Sequence, residues 1–183
     1  MPALTRADLL AAARAFCDSF AQKKSLDEIL SHFATTTTTT MTTTTGDSDE
    51  EVVVVHEHGL PQLAPFLGRD FRGVEGAREY FETVGKYLKY EDMRFVEFVV
   101  DAGGQDGNGD KDGEGEGEGE GKVAVRGKAR FTWNETNQSW DETFVYVLRF
   151  DGRGKLVRHN LSIALTFNEP DGSSQNGGSN VAL

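Results

Sequence analysis

"VVVVHEHG", residues 52–59, is the stretch on which the reading of the fold turns. Four consecutive β-branched residues favour extended backbone, because their stiff χ1 rotamers pack well on a pleated surface. The run then ends in His56, Glu57 and His58, with Gly59 placed to turn the chain. A strand that enters a core and stops in titratable groups admits three readings: a metal pair, an acid/base site at a pocket mouth, or an ordinary strand end. His56 and His58 stand two residues apart, so a strand directs both side chains to the same side.

Two helices are predicted upstream. "TRADLLAAARAFCDSFAQ" offers Thr5 as N-cap with Asp8 three residues on, and it spaces Leu9, Ala13, Phe16 and Phe20 along one helical face. "SLDEILSHF" repeats the device with Ser25 and Glu28 ahead of Ile29, Leu30 and Phe33. Downstream, "GVEGAREYFETVGKYLKY" places Ala77, Tyr80, Phe81, Val84 and Leu88 at helical spacing, which makes a third helix.

Strands follow. "MRFVEFVVDA", "KVAVRGKARFTWN", "SWDETFVYVLRFD" and "KLVRHNLSIALTFN" are aromatic and β-branched runs with alternation, and the short links at 134–137 and 151–154 make the last three an antiparallel meander. Alternation puts Val123, Val125, Gly127, Ala129, Phe131 and Trp133 on one face, with Arg126, Lys128 and Arg130 on the other. Likewise Trp140, Glu142, Phe144, Tyr146, Leu148 and Phe150 share a face, as do Val157, His159, Leu161, Ile163 and Leu165. Glu142 and His159 are thus polar residues on otherwise apolar faces, the second place where chemistry is expected.

Two low-complexity inserts interrupt this pattern. One, 35–50, is threonine-rich; the other, 102–121, is a Gly/Glu/Asp tract too polar to bury the apolar area that would offset its ordering entropy. Residues 101–122 hold eight acids and two lysines, so they supply −6 of the formal net charge of −11 and leave the rest of the chain mildly acidic. Domain organisation is expected to be a single domain over 1–168 with these inserts, followed by a disordered tail at 169–183.

Charge and composition bound the partners. The negative balance argues against nucleic acid or an anionic membrane, since nothing offsets it with a basic patch. No run approaches the ~20 apolar residues of a membrane helix, and Arg6, Asp8, Arg14 and Asp18 interrupt the apolar core a secretory signal needs. A soluble, cytoplasmic chain is expected. The single cysteine, Cys17, falls among apolar helix residues and is expected to be an inert buried thiol.

The order of elements resembles the nuclear transport factor 2-like (NTF2-like) superfamily, and within it the SnoaL-like branch. The residues that carry the resemblance are "VVVVHEHG" after two helices, "FLGRDFRGVEGAREYFETV" leading into the third, and "SWDETFVYVLRFDGRGKLVRHNLSIA" as the closing hairpin. The resemblance implies an α+β, cone-shaped fold: three N-terminal helices packed on a curved, mainly antiparallel sheet, with a pocket at the open end. It also implies a polar or acid/base residue at the end of the first strand, and His58 falls where the ketosteroid isomerases of that superfamily keep a catalytic aspartate.

The function implied is binding of a small hydrophobic ligand or substrate, without a cofactor, by a dehydratase, isomerase or cyclase using histidine acid/base chemistry. A histidine titrates near neutral pH and can move a proton to or from a carbon beside a carbonyl. The catalytic candidates are His58, His56, Glu142 and His159. Tyr80, Phe81, Tyr90, Trp133, Trp140, Phe144 and Tyr146 are the candidates for lining a ligand pocket, because flat aromatic faces suit a polyketide-like or terpenoid-like body. No metal is expected: His56 and His58 lack a nearby third ligand, "HEHGLPQLAPFLG" offering no acid before Asp70. The alternative is a non-catalytic ligand-binding module or a homodimer scaffold on the same fold.

Overall fold

The computed structural model describes residues 4–35, 53–102 and 121–164. Both inserts, apart from their edges, and the expected tail at 169–183 lie outside these. The described chain runs α1 (Arg6–Ala21), α2 (Leu26–Leu30), β1 (Val54–Glu57), β2 (Asp70–Arg72), α3 (Gly73–Tyr87), β3 (Leu88–Asp101), β4 (Gly121–Trp133), β5 (Ser139–Phe150) and β6 (Leu156–Ala164). It is a mixed α+β arrangement.

Helix α1 starts where its cap dictates. The Thr5 hydroxyl accepts from the Asp8 N–H at 3.2 Å, and the Asp8 carboxylate accepts from the Thr5 N–H at 3.0 Å, so two orphan donors are satisfied reciprocally. The buried face is Leu9, Ala13, Phe16, Cys17 and Phe20, each large side chain contributing about 1.5–3 kcal/mol by leaving water. This face lies on β3 and β4. In α2 the Ser25 side chain accepts from the Glu28 N–H at 3.2 Å, and burial of Ile29 and Leu30 anchors the short helix.

The six strands form one sheet in the order β2-β1-β6-β5-β4-β3. All neighbours are antiparallel except β1 and β6, which run parallel with Val55 beside His159 and Glu57 beside Leu161. The last described strand therefore closes the meander against β5 on one side and pairs with β1 on the other. Two register shifts in β3, between Glu91 and Arg94 and between Phe95 and Glu97, bend that strand as bulges do.

Two boundaries differ from the sequence reading. β2 went unforeseen because three residues flanked by loop and helix carry too little pattern; only its partner β1 makes it a strand. The periodicity of α3 continues on paper through Tyr90, but the helix stops at Tyr87 and β3 begins at Leu88, where pairing of Leu88 with Trp133 and Tyr90 with Phe131 outcompetes helical bonding. At the other end, Gly73 has φ +74°, and a Cβ on Gly76 would lie 2.8 Å from the Phe71 carbonyl carbon. Both glycines let α3 start directly against β2.

Core residues come from every layer. Phe16, Phe33, Phe144, Phe150, Leu148 and Leu156 are almost fully buried between helices and the inner sheet face. No helix among the described residues is long and apolar enough to cross a membrane.

Candidate active site

A cavity of about 190 Å³ opens between α3, the inner face of β3–β5 and the loop joining β1 to β2. Helix α3 supplies Tyr80 and Phe81, β3 supplies Tyr90, β4 supplies Trp133, and β5 supplies Trp140, Phe144 and Tyr146. These are the seven aromatic residues singled out by strand and helix periodicity. Phe20 of α1 and Phe66, Leu67 and Leu63 of the loop complete the walls. Leu63 lines the cavity yet is 69% exposed, which marks the mouth.

Two carboxylates interrupt this apolar lining, Glu57 at the end of β1 and Glu142 on β5. Glu57 is 4% exposed and accepts a hydrogen bond on Oε2 from the Tyr80 hydroxyl at 2.7 Å. Burial raises its pKa from 4.5 to about 7; the Tyr80 bond works against the rise, and the negative charge of Glu142 adds to it. Glu142 accepts from the Trp140 indole N–H at 2.6 Å. Its pKa is also raised, chiefly by burial, with the indole bond opposing. Tyr80 and Tyr146, buried beside Glu57, are both held firmly in the phenol form. Tyr90 donates to the Phe20 carbonyl at 3.1 Å, tying β3 to α1.

Nothing among the cavity-lining side chains is cationic. The only polar equipment is therefore two proton-accepting groups, two neutral donors that hold them, and further phenol hydroxyls, in surroundings where water is scarce. Such a site can take up and release protons near neutral pH without a metal or cofactor having to be held by these side chains.

Comparison with solved structures gives a consistent result. An NTF2-like protein of unknown function from Burkholderia pseudomallei matches with a TM-score of 0.58 at 16% identity, over 86% of this chain and 91% of its own. A putative isomerase from Rhodopseudomonas palustris matches at 0.54 and 11% identity, over 85% and 88%. A Mycobacterium tuberculosis protein solved in complex with estradiol-17β-hemisuccinate matches at 0.54 and 12% identity, over 88% and 95%. The chain has the NTF2-like fold. No protein-family model matches the sequence, and no curated protein does.

Within the NTF2-like frame the four expected catalytic residues do not converge. The parity of β1 is the reverse of the one expected: Val53, Val55 and Glu57 turn into the core, so His56 and His58 do not line the cavity. His56 instead holds Asp70 of β2, Nδ1 to Oδ1 at 2.8 Å, and Asp70 also accepts from Arg72 at 2.8 Å; the His56 bond is the main reason the Asp70 carboxyl stays below its usual range. His58 is exposed at the strand end, its ring centroid 4.6 Å from that of His56. The physical reason is that valines fill both sides of the strand, leaving no alternation from which to read direction.

His159 is placed differently again. It is 1% exposed, with neither ring nitrogen hydrogen-bonded, and it packs edge-on to Tyr146 at 4.6 Å and stacks near Phe81 at 6.2 Å, behind the cavity wall rather than in it. Burial drives its pKa down to about 3, so it is a neutral ring. Glu142 alone of the four lines the cavity. The group that was missed, Glu57, had one legible signal: Tyr80 on the apolar face of α3 carries a hydroxyl that burial obliges to find an acceptor. Among the described residues no group of three or more His, Cys, Asp or Glu is arranged to hold a metal ion.

Proposed function

We propose that this NTF2-like protein binds a small hydrophobic carbonyl compound in the cavity and acts on it as a SnoaL-like, cofactor-independent isomerase, dehydratase or cyclase, with Glu57 as the proton-transferring group. The observation that carries this reading is the Glu57–Tyr80 pair. Its carboxyl is divided between acid and base near pH 7, where a general base combines adequate strength with adequate population. In the base form Glu57 takes a proton from the carbon beside the carbonyl and returns it at another position, or loses it to a leaving hydroxyl. Tyr80 fixes the carboxylate that does so, and Glu142, two strands away on the same sheet, keeps a second polar point in the cavity. The role assigned to His58 from sequence thus passes to its neighbour. Support for the ligand class comes from the aromatic lining and from the neighbour solved with a steroid-like ligand.

The test is deuterium uptake. In D₂O, with a panel of cyclic enones and their unconjugated isomers, the protein is expected to introduce deuterium beside the carbonyl at a rate that rises with pH through about 7. Glu57→Gln abolishes this uptake and His58→Gln leaves it intact. Uptake persisting in Glu57→Gln, or absent with every ketone, overturns the proposal.

A further inference from the structure

The cavity contains a charge imbalance. Ten of its lining side chains are aromatic, two are glutamates, and none is Lys, Arg or His. Each glutamate has Oε2 engaged by a neutral donor, Tyr80 for Glu57 and Trp140 for Glu142, and among the described residues no cationic side chain lines the cavity beside either of them. Glu57 is held out of water and Glu142 is half-buried, with no cationic side chain in the cavity lining to offset either charge, and a neutral hydroxyl on a ligand could serve only one of them. A cation would answer both through its charge, and the faces of Trp133, Trp140 and Phe81 would add the attraction of their ring quadrupoles. An anion would meet repulsion from both carboxylates and find no donor side chain carrying positive charge.

We infer that the ligand of this cavity carries a protonated amine on an apolar body, the ammonium lying between Glu57 and Glu142 against the tryptophan faces. This rests on the reading of the cavity as the binding site and narrows its ligand to hydrophobic carbonyl compounds that also carry an amine, such as amino ketones. Size agrees: an apolar cavity of about 150 Å³ accepts benzene, so about 190 Å³ takes a substituted ring, with any longer chain leaving past Leu63.

Protonation gives the inference its signature. The titratable groups facing Glu57 are Tyr80 from α3 and Tyr146 and Glu142 from β5; His56 and Asp70 lie across β1 and His159 lies behind Tyr146. Both phenols stay neutral, so as pH rises through about 7 the cavity gains negative charge through Glu57, beside a Glu142 carboxyl that burial also pushes upward. An alkylamine stays protonated throughout that range. Amine binding therefore tightens as pH rises, whereas binding of an alcohol does not.

The experiment compares phenylbutylamine, phenylbutanol and phenylbutyrate by quenching of intrinsic fluorescence, since both tryptophans of the chain line the cavity. At pH 8 the amine is expected to bind at least about tenfold tighter than the alcohol, with the acid weakest. The preference should shrink at pH 5, where Glu57 is protonated, and be reduced at pH 8 in Glu57→Gln and in Glu142→Gln, each checked for folding by its thermal midpoint. Alcohol binding that equals or exceeds amine binding at pH 8 overturns the inference and leaves the cavity as a neutral-ligand site. Failure of all three to change the fluorescence overturns the inference together with the cavity reading beneath it.

Discussion

The Tyr80 hydroxyl donates to Glu57 Oε2 at 2.7 Å, joining the middle of α3 to the last residue of β1 inside the cavity wall. Through this hydrogen bond helix position controls the acid. Without it, burial would act on Glu57 unopposed. Tyr80→Phe is therefore expected to move the Glu57 carboxyl above 7, not below, and to cost about 1–3 kcal/mol of stability from the acceptor left unpaired. Carbon-13 titration of the glutamate carboxyl and a denaturant midpoint measure the two effects.

Glu57 also makes the fold pH-sensitive. Its folded pKa, about 7, exceeds its ordinary 4.5, so the folded state holds the proton longer than the unfolded state does. Stability from this group is full below pH 4.5, declines as pH rises through the window to 7, and is constant beyond it. The loss amounts to about 3 kcal/mol at most. Glu57→Gln should flatten this decline, so that the variant is more stable than wild type at pH 8 by thermal melting; equal pH dependence in both would count against the buried carboxyl.

His159 acts at the other end of the scale. Its folded pKa of about 3 lies below its ordinary 6.5, so the unfolded state binds the proton first and stability falls as pH drops through 6.5 toward 3. Because neither ring nitrogen is bonded, His159→Leu should both remove this acid-side decline and raise the melting temperature at pH 5, the apolar side chain filling the space among Phe16, Phe81 and Tyr146.

Gly127 sets the position of the cavity floor. A Cβ there would overlap the ring of Phe144, which is 2% exposed and lines the cavity. Gly127→Ala is expected to push that ring inward, weaken binding of hydrophobic ligands by about tenfold and cost about 1–3 kcal/mol; fluorescence titration of phenylbutanol beside a melting curve separates the two.

Cys17 is 1% exposed, and burial raises its thiol far above the normal range. Native protein should not react with a disulfide reagent, while denatured protein should release one equivalent.

Much of this was legible because periodicity survives wherever one face is wet. The inward rows of β4 and β5 and the apolar face of α1 could be read directly, since each alternates with charged or small residues. β1 could not: Val53, Val54 and Val55 are all buried, so the code that tells inside from outside is missing there, and the histidines took the inward place on paper that Glu57 occupies. The unpaired state of His159 was equally invisible, because a polar residue on an apolar face does not announce whether it has a partner.

The parallel pairing of β1 with β6 has a consequence for biosynthesis. Glu57 appears early in the nascent chain, but the strand that steadies it, with Leu161 beside it in register, leaves the ribosome about a hundred residues later. Until then the acid-bearing strand has β2 beside it and α3 against it, but no partner on its other edge. Shortening the product before β6 would leave Glu57 on a strand without that neighbour, so the cavity wall that carries the carboxyl closes only once residues 156–164 have been made.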